Sequence, residues 1–193
     1  MARPKEFDPT EALGQALGLF WRQGYTATSL DDLLQATGLS KSSLYQSFGS
    51  KAALFAAALD RYQADQLSKV REALGGGADA RSAIGLLLRS LVLPASDPSA
   101  AWGCLTCNSA IELAPGDPAV AASIARHYAA LEDLLAKTLE RGQAEGSIGS
   151  RHSPIDLARF LIMALNGLQV LVRARSDPAR LEQAISVVLT ALD

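Results

Sequence analysis

Three groups of residues in this 193-residue chain have types and spacing that could do chemistry. They are the stretch SKSSLYQSFGSK from Ser40 to Lys51, the pair Cys104 and Cys107, and the histidines His127 and His152. The first group is hydroxyl-rich and locally basic, and no acid occurs from Leu33 to Leu59. Solvated surface often has this composition, and so does a surface that meets nucleic acid. Lys41 can donate to guanine O6 or N7, while Ser42 and Ser43 can pair with several bases. Thr28, Ser29, Tyr45, Ser47 and Lys51 suit phosphate oxygens, and Gln46 could contact either.

The other two groups carry less. Both histidines stand far from the cysteine pair, so no cluster has metal-ligand spacing and no metal site is predicted. No Gly-x-Ser-x-Gly occurs and no paired carboxylates frame a histidine, so no catalytic residue and no cofactor is predicted either. Three apart on a regular helix, the Cβ atoms of Cys104 and Cys107 lie roughly 5–6 Å apart. That is too far for an unstrained intrachain disulfide. With no signal-peptide core at the N-terminus, the pair reads as reduced thiols and the expected location is the cytoplasm.

The elements that must position these residues announce themselves by their caps. Asp8-Pro9, Asp97-Pro98, Asp117-Pro118, Ser153-Pro154 and Asp177-Pro178 each set a capping side chain before a proline suited to the first helical position. Asp8 with Glu11, Thr28 with Asp31, and Ser153 with Asp156 have capping-box spacing. Apolar residues then recur at three and four, as in Ile124, Tyr128, Leu131, Leu135 and Leu139, and no sustained period-two stretch appears. The expected fold is all-α with about nine helices: a head over residues 1–50 and a larger helical body over 51–193. A composition of 49% hydrophobic and 20% charged residues suits a globular chain. The net charge of −2 means that any affinity for nucleic acid must come from local placement of charge. The longest apolar-rich run, FLIMALNGLQVLV, is interrupted by Asn166, Gly167 and Gln169 and reads as too short for a bilayer, so no membrane partner is predicted.

Within the head, TSLDDLLQATGLSKSSLYQSF has the anatomy of a helix-turn-helix. Leu30, Leu33 and Leu34 form the inner face of a short helix, Gly38 sits at the turn, and Ser40 caps a second helix anchored by Leu44 and Phe48. Ser50 caps the next. Residues 8 to 62 resemble the DNA-binding head of the TetR family of bacterial repressors. The resemblance rests on Phe20, Gly24, Tyr25, Thr28, the turn from Ala36 to Gly38, the Ser-Lys-x-x-Leu-Tyr-x-x-Phe stretch from Ser40 to Phe48, and Lys51 with Leu54. It implies that the second helix enters the major groove of double-stranded DNA. Asp31 and Asp32 depart from a cationic pattern there; Asp31 is expected to cap Thr28.

The same resemblance implies a homodimer formed by two late helices. The segment from Ser153 to Arg175 is apolar on nearly every face, which requires cover on every face. Leu131, Leu135, Phe160, Leu161, Leu165, Leu168 and Val172 are the expected interface. A two-fold dimer is also what a palindromic operator needs; the simpler alternative is a monomer with a buried central helix. A small-molecule effector is expected among the body helices, near Phe55, Tyr62, Leu87, Leu91, Trp102, Cys104, Cys107, Asn108 and Tyr128. The run WGCLTCNSAIELAPGDP is similar to the corresponding part of the TetR subgroup that includes the N-ethylmaleimide reductase repressor, which implies electrophile or oxidant sensing. Plain buried thiols remain the alternative, and a helix starting at Pro98 rather than near Cys104 would remove the helix-terminus argument for reactivity. Two rival functions are a DNA-binding protein without an effector and a helical redox enzyme using the Cys-x-x-Cys pair.

Overall fold

Most helix starts are set by one short hydrogen bond in the computed structural model, which describes residues 8–76, 78–92 and 101–193. Asp8 accepts from the Thr10 N–H at 2.8 Å, Asp117 from Ala119 and Val120, Ser153 from Asp156, and Asp177 from Ala179. Each of these four stands before a proline in the first turn, where a missing N–H costs nothing. The Asp97-Pro98 start lies outside the described residues. Among the described residues the chain forms nine helices and no strand: α1 (Pro9–Gln23), α2 (Leu30–Thr37), α3 (Lys41–Phe48), α4 (Lys51–Gly75), α5 (Ala80–Val92), α6 (Leu105–Glu112), α7 (Pro118–Glu145), α8 (Pro154–Arg173) and α9 (Pro178–Thr190).

One cap differs from expectation. The box at α2 is Ser29 with Asp32, not Thr28 with Asp31: the Ser29 hydroxyl accepts from the Asp32 N–H at 3.1 Å, and Asp32 accepts from the Ser29 N–H at 2.8 Å. Thr28 is fully buried, and its hydroxyl donates to the Gly24 carbonyl at 2.6 Å. That bond closes the turn after α1, so the helix starts one residue later than the rival spacing allowed.

Two apolar cores follow. The first gathers Phe20 of α1, Leu33 of α2, Leu44 of α3 and Leu54, Phe55 and Leu59 of α4, and it continues into Leu105 of α6 and Val120 and Ile124 of α7. The second fills the body with Val70 and Leu74, Ile84, Leu87 and Leu88, Leu139, Leu157 and Ile185. Leu131, Leu135, Leu161 and Leu168 belong to this second core and are all at least 95% buried within the one chain. They therefore cannot serve as the expected subunit interface. Phe160, Leu165 and Val172 are partly buried against the same core.

What α8 leaves uncovered is a different set: Met163 is 65% exposed, and Val170 and Leu171 are also open. At 20 residues, α8 is long and apolar enough to cross a membrane by length and composition, contrary to the expectation from its interrupted sequence. Its polar interruptions are used inside the fold. Asn166 accepts from the Tyr128 hydroxyl at 3.2 Å, and Gln169 donates to the Leu91 carbonyl at 2.6 Å.

Candidate nucleic-acid interface and body cavity

The outer face of α3 is built by three local devices. Gly38 ends α2 in the left-handed region at φ 66°, which a residue without Cβ adopts freely. Ser40 then accepts the Ser43 N–H at 3.1 Å and starts α3. Leu44, fully buried, and Phe48, half-buried, fasten the inner face to the head core. Lys41, Ser42, Tyr45, Gln46 and Ser47 are left exposed on the other side, and Tyr45 keeps 43% of its surface open.

The remaining expected DNA contacts fare differently. Ser43 is half-buried, and its hydroxyl, like that of Ser42, lies 2.9 Å from the Ser40 hydroxyl at the cap. Thr28 has no exposed surface, so its expected phosphate contact is withdrawn; the turn has taken its hydroxyl. Ser29 is exposed and donates to Asp32 at 2.7 Å. Lys51 is half-buried with its Nζ 4.3 Å from the Tyr25 ring centroid. The Ser29 hydroxyl and N–H, with Lys51 farther off, hold the Asp32 carboxyl below its usual range.

Head and body are tied by polar contacts that sequence reasoning did not find. Glu112, at the end of α6, accepts the N–H groups of Tyr25 at 3.2 Å and Thr26 at 2.7 Å, in the turn before α2. Partial burial opposes its ionisation, but those two N–H groups and Arg173 prevail and keep the carboxyl below its usual range. The Trp21 indole of α1 donates to the Gly103 carbonyl at 2.8 Å. Arg173, ending α8, donates to the Trp102 carbonyl at 2.7 Å. Gly103 sits at φ 70° with the Gln169 carbonyl 3.1 Å from where a Cβ would stand, so position and conformation both require glycine. Contacts separated by this much sequence leave no local periodicity.

Beside this tie opens a cavity of about 490 Å³ between α1, α4, α5, α7 and α8. Of the expected lining residues, Tyr62, Leu87, Leu91, Cys104 and Tyr128 are on its wall. Phe55 is instead packed edge-on against Phe20 and Tyr25 in the head core. Trp102 stands edge-on to Trp21, and Asn108 holds the Trp102 carbonyl at 3.0 Å. Cys107 is 7% exposed and off the wall. The wall also contains Trp21, Gln66, Lys69, His127, Leu165, Asn166 and Gln169. Leu131, expected at an interface, lines it too.

The two thiols differ in setting. Cys104 is the N-cap residue of α6, half-buried and without a side-chain cap bond, and it faces the cavity. Burial and the neighbouring Cys104 push the Cys107 thiol up. Burial likewise raises Tyr62 well above the usual phenol value, with Cys104 adding to it. Tyr128 is pushed up to about 12, chiefly by burial, and burial lowers His127. Among the described residues no group of three or more His, Cys, Asp and Glu side chains could hold a metal ion.

The chain matches two family models: "Bacterial regulatory proteins, tetR family" over residues 12–58 and "Tetracyclin repressor-like, C-terminal domain" over residues 83–188. It is 34% identical over 194 residues, spanning 100% of both chains, to the uncharacterized HTH-type transcriptional regulator YezE of Bacillus subtilis (strain 168). It is 33% identical to the HTH-type transcriptional repressor ComR of Escherichia coli (strain K12), covering 98% of this chain and 90% of ComR. Among solved structures, a cysteine mutant of the TetR family regulator CifR bound to 26-bp double-stranded operator DNA superposes with a TM-score of 0.88 at 31% identity, covering 100% of each chain. The reduced form of E. coli NemR shares the fold with a TM-score of 0.84 at 24% identity, over 95% of this chain and 96% of NemR.

Proposed function

The chain belongs to the TetR family of bacterial regulatory proteins, and from that premise we propose that it is a repressor which holds a palindromic operator as a homodimer and releases it when a small molecule fills the body cavity. It is a helix-turn-helix transcriptional regulator and not an enzyme. Residues 1–50 act as the reading head and 51–193 as the effector and dimerisation body.

The observation that carries the reading is the outer face of α3. Five polar side chains, one of them cationic, project from a short helix whose opposite side is fastened by Leu44. A helix so presented fits the major groove, with Lys41, Ser42 and Gln46 toward base edges and Tyr45 and Ser47 toward phosphates. The DNA-bound form of CifR supports this use of the fold. The uncovered apolar strip of Met163, Val170 and Leu171 on α8 is the surface for a second copy, which would place two α3 helices on one face of a duplex. A regulator of this kind works on DNA in the cytoplasm.

Gel shifts at graded salt, with DNA from upstream of its own gene against random DNA, test the proposal. Specific binding should exceed non-specific binding by about a thousandfold or more. Equal affinity for both, or a solution mass of one subunit in the DNA-bound form, overturns it.

Thiol modification is a second route to release, favoured by the place of Cys104 on the cavity wall. An adduct on its Sγ would occupy the effector's own space. Cys104→Ser should then abolish release by electrophiles or oxidants, whereas Cys107→Ser, off the wall, should leave it. Release that survives Cys104→Ser removes this route.

A further inference from the structure

The cavity wall is rich in hydrogen-bonding groups, yet among the described residues it carries no buried charge. Lys69 and Glu72 reach it, but both are exposed and of opposite sign, at the mouth. Apart from these two, the polar side chains of the wall are two phenols, an imidazole, a thiol, the Ser90 hydroxyl, three amides and the Trp21 indole N–H. Burial raises Tyr62 and Tyr128 and lowers His127, which disfavours the charged form of all three. His127 also holds a buried Nδ1 with no partner among the described residues. The rest of the wall is hydrocarbon and ring, including Leu87, Leu91, Leu165 and the Trp21 indole. A carboxylate or ammonium drawn into this space would leave water without gaining a counter-ion, which is heavily disfavoured. A neutral ring system loses nothing and gains apolar contact.

We propose that the cavity binds an uncharged molecule of about two fused rings carrying a hydroxyl or carbonyl, seated against Trp21 and hydrogen-bonded to the wall formed by Tyr62, Tyr128 and His127. This deepens the effector reading and rests on it. Trp21 belongs to α1, so such a ligand touches the DNA-binding head itself as well as the body. The Trp21 indole is bonded to the Gly103 carbonyl, next to Cys104, so crowding at this wall presses on the tie between the two parts.

Three probes of matched shape separate charge from fit: 2-naphthylmethanol, 2-naphthoate and 2-naphthylmethylammonium, titrated calorimetrically into the full-length protein at neutral pH. The alcohol should bind at least about 30-fold more tightly than either ion. Leu165→Trp, which fills the cavity, should weaken the alcohol by about tenfold or more. Tyr128→Phe, which keeps the ring and the packing, should weaken it by about fivefold. Either ion binding as tightly as the alcohol overturns the proposal, as does alcohol binding indifferent to both variants, or no binding by any probe. A parallel gel shift separates the two readings. An ion that binds and releases DNA sinks the ligand class and leaves the effector role, whereas an alcohol that binds in the cavity without altering DNA affinity does the reverse.

Discussion

Lys41 and Lys51 are the two cations of the head proposed to meet DNA, and their surroundings differ. Lys41 is exposed at the start of α3 with no partner among the described residues, free to reach a base edge. Lys51 is half-buried over the Tyr25 ring, and its charge also serves Asp32. Lys41→Ala should cost about 1–3 kcal/mol on the preferred sequence and relax discrimination at one position. Lys51→Ala should weaken binding to all sequences alike and reduce the salt slope by about one; anisotropy titrations on a site library at several salt concentrations read both effects. Glu112 supplies a pH signature. Its folded carboxyl lies below the ordinary value of 4.5, so its stabilisation is present above that value and fades as pH falls below it. Thermal melts between pH 3.5 and 7 should show Glu112→Gln less stable at neutral pH, with the gap to the native protein closing below about pH 4.5. Side chains of this kind were legible only where their partners are local. Ser40 and Gly38 were plain because a cap and a turn are settled within four residues. Thr28 and Ser29 were not, since both have an acid three residues on, and the Gly24 carbonyl decided between them.

Helices were readable wherever a capping side chain preceded a proline, and the orientation of an all-apolar helix was not. For α8, periodicity marks no inner face, so Leu161 and Leu168 were as plausible outside as Met163 and Leu171. The choice is made by α7, along which α8 packs, and by Asn166 and Gln169, whose partners Tyr128 and the Leu91 carbonyl lie inward. Close packing at α7 also sets a clear stability test. A Cβ on Gly142 would stand 2.5 Å from Ile148 Cδ1 and 2.8 Å from Ala80 Cβ. Gly142→Ala should therefore lower stability by about 1–3 kcal/mol through overpacking, despite the better helix propensity of alanine; chemical denaturation with an unchanged m-value is the check. The beginning of α6 was ambiguous between Pro98 and Cys104. Its start at Leu105 places Cys104 at one end, on the cavity wall, and Glu112 at the other, on the head.

At the scale of the molecule, the uncovered apolar residues of α8 and the exposed outer face of α3 make one joint prediction. Met163→Glu with Leu171→Glu should leave the fold of each chain intact, because both residues are exposed, while converting the proposed dimer to single subunits. Light scattering should give half the mass, and operator affinity should fall by several orders of magnitude while the melting temperature of the diluted protein changes little. A native mass of one subunit before substitution would remove the interface. The all-α plan, the head and its recognition helix could be read in advance because each rests on local spacing. The cavity wall and the tie through Trp21, Glu112 and Arg173 could not, because they join positions that only the folded chain brings together.

The core that holds the head does not stop at α4: Leu105, Val120 and Ile124 complete it from the far side. A chimera that grafts residues 1–50 onto another regulator's scaffold would carry α3 but strip the graft of its floor. Transplanting DNA specificity from this protein calls for exchanging the few exposed side chains of α3, or else for moving α4, α6 and the first turns of α7 along with the head.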